Sequence, residues 1–195
     1  MIEASTKSDK AAARLAAVER RKLLAAAAPG AGERIADHFM EAYKPGPGFA
    51  VAGFWPMWGE IDLRPLLRTL EEAGCLCLLP VATTRATSLV FRRWQPGQKL
   101  IQSAFGVMEP GLDATEVRPK IVIVPLLAFD GDGYRLGYGG GYYDRTLAAL
   151  RGDGTGAVTA VGAAFARQRL DRCPRGPFDQ RLDGIVTEYG AHSFD

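Results

Sequence analysis

The stretch "KIVIVPLLAFDGDGYRLGYGGGYYDRTLAALRG" (residues 120–152) passes from an apolar run through a glycine-rich segment into a series of good helix formers. The run at 120–130 is apolar on both faces, which predicts a central strand that is covered on two sides. The residues from Tyr142 onward predict a helix. A strand, a glycine-rich turn and a helix in this order indicate a layered α/β domain.

The segments on either side support the same class. Helices are predicted at 8–28, 32–43 and 62–74. In the second, Ile35, Phe39 and Tyr43 recur every four residues. In the third, Asp62 is the predicted N-cap and Gly74 the predicted end. Strands are predicted at 49–56, 75–82, 157–165 and 183–188, with antiparallel structure between 88 and 100. We therefore expect one three-layer α/β domain over residues 1–195, with a largely parallel central sheet and helices on both faces.

Composition narrows the function classes. The chain has 195 residues, of which 47% are hydrophobic and 24% charged, as in soluble globular domains. A net charge of +2 gives no reason to expect a nucleic-acid partner. No export signal or membrane span is evident, and the odd set Cys75, Cys77 and Cys173 indicates reduced, buried thiols. These features predict a cytoplasmic protein without membrane contact. We expect a monomer or weak homodimer, although no feature of the sequence determines the oligomeric state.

The glycine-rich stretch predicts an anion site. A turn that opens a helix presents unpaired N–H groups and the positive end of the helix dipole, and both attract phosphate. The dinucleotide pattern GxGxxG fails because Tyr142 stands where the third glycine should be, and the Gly-Lys-Ser/Thr ending of a Walker loop is absent. The alternative is a plain tight connection, with Tyr142 and Tyr143 as core or rim aromatics and Asp144 favouring the helix N-terminus.

Charged residues near this stretch suit the same chemistry. Arg135 could grip phosphate oxygens with two hydrogen bonds. Asp144 would repel phosphate unless a divalent cation lies between them, so phosphate together with Asp144 implies magnesium. Lys10 and Arg14 share one face of the first helix, where they form either an anion site or an ordinary solvated basic surface.

Several motifs, taken together, resemble one known family. They are "KAAAR" (10–14), "FWPMWGEIDLRPLL" (54–67), "FGVMEP" (105–110), "VPLLAFDGDGYRLGYGGGYYDR" (124–145) and "FDQRLDGIVTE" (178–188). They occur in the order found in the 5-formyltetrahydrofolate cyclo-ligase family, also called methenyltetrahydrofolate synthetases. Two positions depart from the family pattern: Gly140 stands where some relatives have lysine, and Leu63 where threonine is common.

The resemblance implies an ATP- and Mg²⁺-dependent enzyme that converts 5-formyltetrahydrofolate to 5,10-methenyltetrahydrofolate and releases ADP and phosphate. It implies that Glu60 contacts the pterin ring, that Trp55 and Tyr142 line the folate pocket, and that Asp144 and Asp179 lie near Mg²⁺. Arg135 is the candidate catalytic residue, as the group that stabilises the transferring phosphoryl group. The implied ATP-binding residues are Lys10, Arg14, Arg135, Leu136, Gly137, Tyr138, Gly139, Gly140, Gly141, Tyr142 and Tyr143.

Residue types agree with phosphoryl transfer rather than covalent catalysis. Such transfer requires alignment and charge stabilisation more than a protein nucleophile. The chain's two histidines, His38 in a helical pattern and His192 near the chain end, do not suggest a Ser-His-Asp set. Two rivals remain: a non-catalytic nucleotide- or phosphosugar-binding α/β protein, and a folate-binding protein that uses no ATP.

Overall fold

The structure is a computed structural model that describes residues 7–84, 87–104 and 106–194, with side chains from Lys10 onward. Phe105 of the "FGVMEP" motif lies outside the described residues. The helices are α1 (Lys7–Ala27), α2 (Ala31–Tyr43), α3 (Arg64–Glu72) and α4 (Tyr142–Gly152), with a 3₁₀ turn at Ala166–Gln168. The strands are β1 (Ala50–Ala52), β2 (Leu76–Val81), β3 (Val90–Arg93), β4 (Ile101–Gln102), β5 (Met108–Glu109), β6 (Ile121–Pro125), β7 (Ala128–Phe129), β8 (Arg135–Leu136), β9 (Thr159–Ala163), β10 (Gly184–Thr187) and β11 (Gly190–Ser193).

Within the described residues, seven strands form the main sheet in the order β11-β10-β9-β6-β1-β2-β3. The inner strands β10, β9, β6, β1 and β2 are parallel, whereas the edge strands β11 and β3 pair antiparallel to their neighbours. The prediction of a largely parallel sheet in an α/β fold is confirmed. Strand β6 lies at the centre, as its two-sided apolar pattern indicates.

The two faces of the sheet are covered by different helices. Alternate residues of a strand point to opposite faces, so Ile121 and Ile123 of β6 pack in the core with α2 and α3, while Val122 and Val124 pack in the core that includes Leu147 of α4. Helix α1 contacts the first of these cores through Leu24 and Ala25 near its carboxyl end, and it also packs in a separate cluster. Its Ala17 packs against Leu127, Ala128 and Leu136, which follow the carboxyl end of β6.

Two predicted boundaries were wrong in detail. The predicted strand at 49–56 is only three residues long, because the chain leaves the sheet after Ala52, ahead of Pro56, which has no N–H for a ladder bond. The N-cap of α3 is Leu63 rather than Asp62. The Asp62 carboxylate instead accepts the Arg64 backbone N–H at 3.0 Å and pairs with the Arg64 guanidinium at 2.7 Å.

The predictions about the end of α3 and about the cysteines are confirmed. Gly74 ends α3 with a φ of 76°, and the next N–H, of Cys75, donates to Leu70 O at 2.9 Å. Cys75, Cys77 and Cys173 are free and buried, and burial raises the pKa of each thiol. Among the described helices, none combines the length and apolar character that crossing a bilayer requires.

Gly32 in the first turn of α2 allows a close approach to the loop before α3. A Cβ added there would lie 2.3 Å from the carbonyl oxygen of Asp62. Because backbone cannot yield as a flexible side chain can, we expect Gly32→Ala to lower the free energy of unfolding by about 2–3 kcal/mol in a urea titration. Gly46→Ala is the matched control, since its added Cβ would meet nothing within 4 Å. Equal stability of the two variants would contradict this packing.

Candidate active site

The predicted site residues gather at the carboxyl edge of the parallel strands. Residues 53–60 follow β1, and the β7–β8 hairpin and the glycine-rich loop follow β6. In open α/β sheets this edge is where ligands bind, because the connecting loops and helix N-termini meet there. Helix α1 crosses the same region and adds cationic side chains to it.

The glycine-rich loop joins β8 to α4. Gly139 has a φ of 98°, and Gly141, the N-cap of α4, has a φ of 68°, both in the region that side chains disfavour. Arg14 Nε donates to Gly137 O at 2.9 Å, and a Cβ at Gly139 would lie only 3.0 Å from Arg14 Cζ. The loop therefore needs glycine both for its backbone conformation and for the close approach of Arg14.

A second arginine, which the sequence analysis did not select, lies on the other side of the loop. Arg145 in the first turn of α4 donates from Nη2 to Gly140 O at 3.0 Å, and its guanidinium lies 5.3 Å from the centre of the Tyr142 ring. Its position four residues after Gly141 was the available signal, because a residue in the first turn lies close to its own N-cap. Arg14 and Arg145 thus place positive charge at a helix N-terminus that already favours anions.

Arg135 and Asp144 form a tight pair at the base of the loop. The Arg135 side chain is 5% exposed; its Nη2 lies 2.7 Å from Asp144 Oδ1, and its Nη1 donates to Gln180 O at 2.6 Å. The Gln180 N–H donates to the same Asp144 oxygen at 3.1 Å. These bonds hold the start of the loop, the first turn of α4 and the segment after Asp179 together.

Lys10 and Asp179 meet across 169 residues of sequence. Lys10 Nζ lies 2.5 Å from Asp179 Oδ2, which also accepts the Gly176 N–H at 2.7 Å. Because Asp179 precedes Gln180, whose N–H binds Asp144, both predicted metal-ligating carboxylates lie on adjoining parts of the site. The structure therefore brings Lys10, Arg14, Arg135, Asp144 and Asp179 to one region.

The donor set is compatible with Mg²⁺ but does not form a preassembled cage. Among the described residues, no group of three or more His, Cys, Asp or Glu side chains could hold a metal. Asp144 and Asp179 each have a cationic partner instead, Arg135 and Lys10 respectively. Mg²⁺ in nucleotide sites is commonly held by one or two carboxylates together with phosphates and water, so two carboxylates beside a glycine-rich loop at a helix N-terminus are compatible with that pattern.

Glu60 closes a tight turn that begins at Met57. Its N–H donates to Met57 O at 2.9 Å, while its own Oε2 accepts the Met57 N–H at 3.0 Å. The two central residues, Trp58 and Gly59, have φ values of 48° and 76°. A positive φ at tryptophan is costly, so this turn must be held by contacts beyond its own backbone.

Arg21, which the sequence analysis missed, makes those contacts. Its side chain is 1% exposed, and its Nη2 donates to Trp58 O at 2.8 Å and to the Tyr138 hydroxyl. Its Nη1 lies 3.6 Å from Glu60 Oε1. The signal was the spacing: Arg21 follows Arg14 by seven residues and so lies on the same face of α1.

The environment of Glu60 opposes its charge. Burial raises the pKa of the Glu60 carboxyl, although the Met57 N–H, the Arg21 charge and the Tyr138 hydroxyl act in the opposite direction. Burial and the nearby Glu60 charge also raise the pKa of the Tyr138 and Tyr143 hydroxyls. The result is a buried carboxylate with a raised pKa near a glycine-rich loop that opens a helix, a combination typical of functional sites.

The aromatic residues do not all gather around Glu60. Trp55 packs edge-on against Trp94, with ring centres 5.5 Å apart, beside Leu67 and Leu79. Trp58, within the turn formed by residues 57–60, is 62% exposed, and its ring centre lies 5.6 Å from that of Tyr138. Two clefts of about 590 Å³ lie elsewhere, one beside Trp94 and one beside Arg169, and neither is lined by the glycine-rich loop.

The fold and this edge define a class: a largely parallel α/β protein with a glycine-rich loop at a helix N-terminus and a separate buried carboxylate. The family model described as "5-formyltetrahydrofolate cyclo-ligase family" matches residues 6–188. The chain therefore belongs to the 5-formyltetrahydrofolate cyclo-ligase family, and the resemblance drawn from its motifs is confirmed, as is the prediction of an enzyme of the cyclo-ligase class.

Individual relatives agree with this assignment. The chain is 37% identical over 142 residues to the 5-formyltetrahydrofolate cyclo-ligase of Escherichia coli K12, covering 70% of this chain and 76% of that one. It is 30% identical over 162 residues to the enzyme of the same name from Haemophilus influenzae, covering 80% and 85%. The solved 5,10-methenyltetrahydrofolate synthetase of Aquifex aeolicus is 30% identical, with a TM-score of 0.77 over 94% of this chain and 92% of that one.

A further solved structure supports the fold alone. The Mycoplasma pneumoniae 5,10-methenyltetrahydrofolate synthetase is 21% identical, with a TM-score of 0.69 over 92% of this chain and 99% of that one.

Proposed function

We propose that the protein converts 5-formyltetrahydrofolate and Mg-ATP to 5,10-methenyltetrahydrofolate, ADP and phosphate. The observation that carries the proposal is the position of two different receptors at one sheet edge: the arginine-flanked glycine loop and the buried Glu60 carboxylate. Tyr138 belongs to the loop and shares Arg21 with Glu60, so the two receptors are adjacent. Family membership supports the same pair of substrates.

The loop is suited to the triphosphate. Its N–H groups and the N-terminus of α4 attract negative charge. Arg14, at 2.9 Å from Gly137 O, and Arg145, at 3.0 Å from Gly140 O, lie where they could exchange these carbonyl partners for phosphate oxygens. Bound Mg²⁺ would neutralise phosphate charge, and Asp144 and Asp179 are the residues that would hold it.

Phosphorylation solves the chemical difficulty of the substrate. The formyl carbon is a poor electrophile because N5 donates into the carbonyl group, and ring closure would otherwise have to expel the oxygen as oxide or hydroxide. Transfer of the γ-phosphoryl group to the formyl oxygen releases ADP and leaves an iminium-like carbon. N10 then attacks that carbon and loses its proton, and the former formyl oxygen departs within phosphate.

Glu60 and Arg135 have different proposed roles. The Glu60 carboxylate accepts hydrogen bonds from the N–H groups along one edge of the pterin ring, with Trp58 beside it. Trp55 and Tyr142 remain predicted folate-pocket residues. Arg135 is proposed to stabilise the transferring phosphoryl group, and its bonds to Asp144 and Gln180 O support an additional role in orienting Asp144.

The deciding assay follows the methenyl chromophore on incubation with 5-formyltetrahydrofolate, ATP and Mg²⁺. Product that requires all three supports the proposal. Nucleotide binding without product would favour the non-catalytic nucleotide- or phosphosugar-binding alternative, and the assignment of the chain to a ligase family argues against that outcome. Cytoplasmic location and a monomeric or weakly dimeric state also stand as proposals.

Replacing Asp144 by asparagine should weaken the response to magnesium. The amide keeps the shape of the side chain but removes the charge that would hold the cation. We expect the Mg²⁺ concentration at half-maximal rate to rise about tenfold. Asp153→Asn is the matched control, because that aspartate pairs with Arg118 after the end of α4. An unaltered magnesium titration in the Asp144 variant would remove this residue from the metal role.

A further inference from the structure

The contacts of Arg21 join three parts of the site that are distant in sequence. The residue lies on α1; its acceptors are Trp58 O in the turn after β1 and the Tyr138 hydroxyl in the glycine-rich loop, with Leu126 O at 3.4 Å after β6. Glu60 Oε1 completes the set at 3.6 Å from Nη1. A side chain that is 1% exposed and makes contacts of this range fixes the relative positions of its partners.

The cost of burying this guanidinium indicates that its role is more than filling space. A buried charge requires pairing and hydrogen bonds, and the Arg21 Nε atom finds no partner among the described residues. An arginine that contributed only packing could be replaced by an apolar side chain of similar volume with little loss or even a gain in stability. What the guanidinium supplies here is a fixed positive charge 3.6 Å from Glu60 and a clamp on a turn with Trp58 at a φ of 48°.

We propose that Arg21 is a positioning residue: it holds the Glu60 carboxylate and the Trp58 turn in the geometry that receives the pterin, and it links them to the phosphate loop through Tyr138. This inference rests on the proposed function, in which Glu60 binds the folate and residues 135–143 bind ATP. It assigns to the N-terminal helix a role in folate use, besides the nucleotide role proposed for Lys10 and Arg14.

A positioning role for Arg21 predicts a specific change in the pH dependence of folate use. The ionisable groups that face Glu60 are Arg21 from α1, Tyr138 from the loop and Tyr143 from α4. Arg21 is the cation among these groups, so its removal leaves the carboxylate with two neutral hydroxyls for neighbours. Glu60 should then take up a proton at higher pH, and folate use should be lost at higher pH than in the wild type.

The test compares Arg21→Gln, Arg21→Lys and the control Arg20→Gln, whose side chain is on an exposed part of α1. Initial rates of methenyl formation at saturating Mg-ATP give KM for the folate, kcat, and the acid limb of kcat/KM. For Arg21→Gln we expect the folate KM to rise at least about tenfold and the acid limb to move to higher pH. Arg21→Lys should keep the acid limb near its wild-type position, and Arg20→Gln should match the wild type.

A double-mutant cycle covers the case in which Arg21→Gln does not fold. Arg21→Lys and Tyr138→Phe each weaken the contact between Arg21 and the Tyr138 hydroxyl, one from each partner. Their effects on the folate KM should therefore be non-additive. Additive effects, or a folded Arg21→Gln variant with unchanged KM and acid limb, would overturn the positioning role. An inactive wild type would overturn the proposed function and this inference together. If the wild type is active and Arg21→Gln has the same folate KM and acid limb as the wild type, only the inference is overturned.

Discussion

Replacing Glu60 by glutamine is expected to lower kcat/KM for 5-formyltetrahydrofolate by about 100-fold while leaving ATP binding unchanged, because hydrogen bonds to a charged acceptor contribute about 1.5–3 kcal/mol each. The amide retains the shape of the side chain but has one acceptor oxygen in place of two. That oxygen must then serve both the Met57 N–H, now bound at 3.0 Å, and the pterin edge. Steady-state kinetics with each substrate varied in turn, together with calorimetric measurement of ATP binding, would show whether the folate step is impaired while ATP binding is kept.

The pH profile gives this prediction a second readout. Because burial raises the pKa of Glu60, the carboxylate becomes protonated at a higher pH than an ordinary glutamate as pH falls. Folate use in the wild type should therefore decline with falling pH through that raised pKa, and the decline should disappear in Glu60→Gln. Glu72→Gln, at an exposed position in α3, is the control. A selective loss of ATP affinity in Glu60→Gln would contradict the pocket assignment.

Replacing Arg135 by alanine is expected to abolish nucleotide-dependent turnover, with a loss of about 1,000-fold or more in kcat, the scale seen when an arginine that stabilises phosphoryl transfer is removed. The change also leaves the Asp144 carboxylate without the guanidinium at 2.7 Å and Gln180 O without its donor. Since the Asp144 side chain is 28% exposed, solvent reduces the stability cost to about 2 kcal/mol.

The two consequences of Arg135→Ala can be separated. Thermal unfolding measures the loss of stability. Single-turnover rates, taken well below the midpoint temperature of unfolding, measure the loss in the rate of the chemical step. Arg135→Lys retains the charge but not the paired donors, so it should recover stability better than activity. Arg64→Ala is the control, because its partner Asp62 is exposed and such surface pairs contribute about 0–1 kcal/mol. Normal turnover in a folded Arg135→Ala protein would exclude the residue from catalysis.

The sequence predicted the fold well because its strongest signals are local. The apolar run of β6, the four-residue spacing of Ile35 and Phe39 in α2, and the helix after Gly141 all follow from residue order alone. Strand β11 was missed because "GAHS" is short, polar and at the sheet edge, where pairing with β10 rather than an apolar pattern defines it. Strand β1 was predicted too long because its residues continue as an apolar loop.

The sequence motifs led to several residues that lie close together in the structure, but not to the contacts that join them. Glycines and charges in a motif identified the loop, but one partner of Arg135, Gln180 O, lies 45 residues away, and the partner of Lys10 lies 169 residues away. Such pairings depend on how the loops meet at the sheet edge, which no local pattern encodes. The same reason explains why Arg21 and Arg145 were not selected from the sequence.

Helix α1 carries Lys10, Arg14 and Arg21 on one face, and these residues contact Asp179, the glycine-rich loop and the Trp58 turn respectively. Detachment of this one helix would therefore dismantle both substrate receptors in a single event. Amide hydrogen–deuterium exchange along α1 should slow when ATP and folate bind together, and proteolytic nicking of its first turns should be suppressed by the same ligands. We therefore expect docking of the amino-terminal helix against the rest of the site to be coupled to the binding of both substrates.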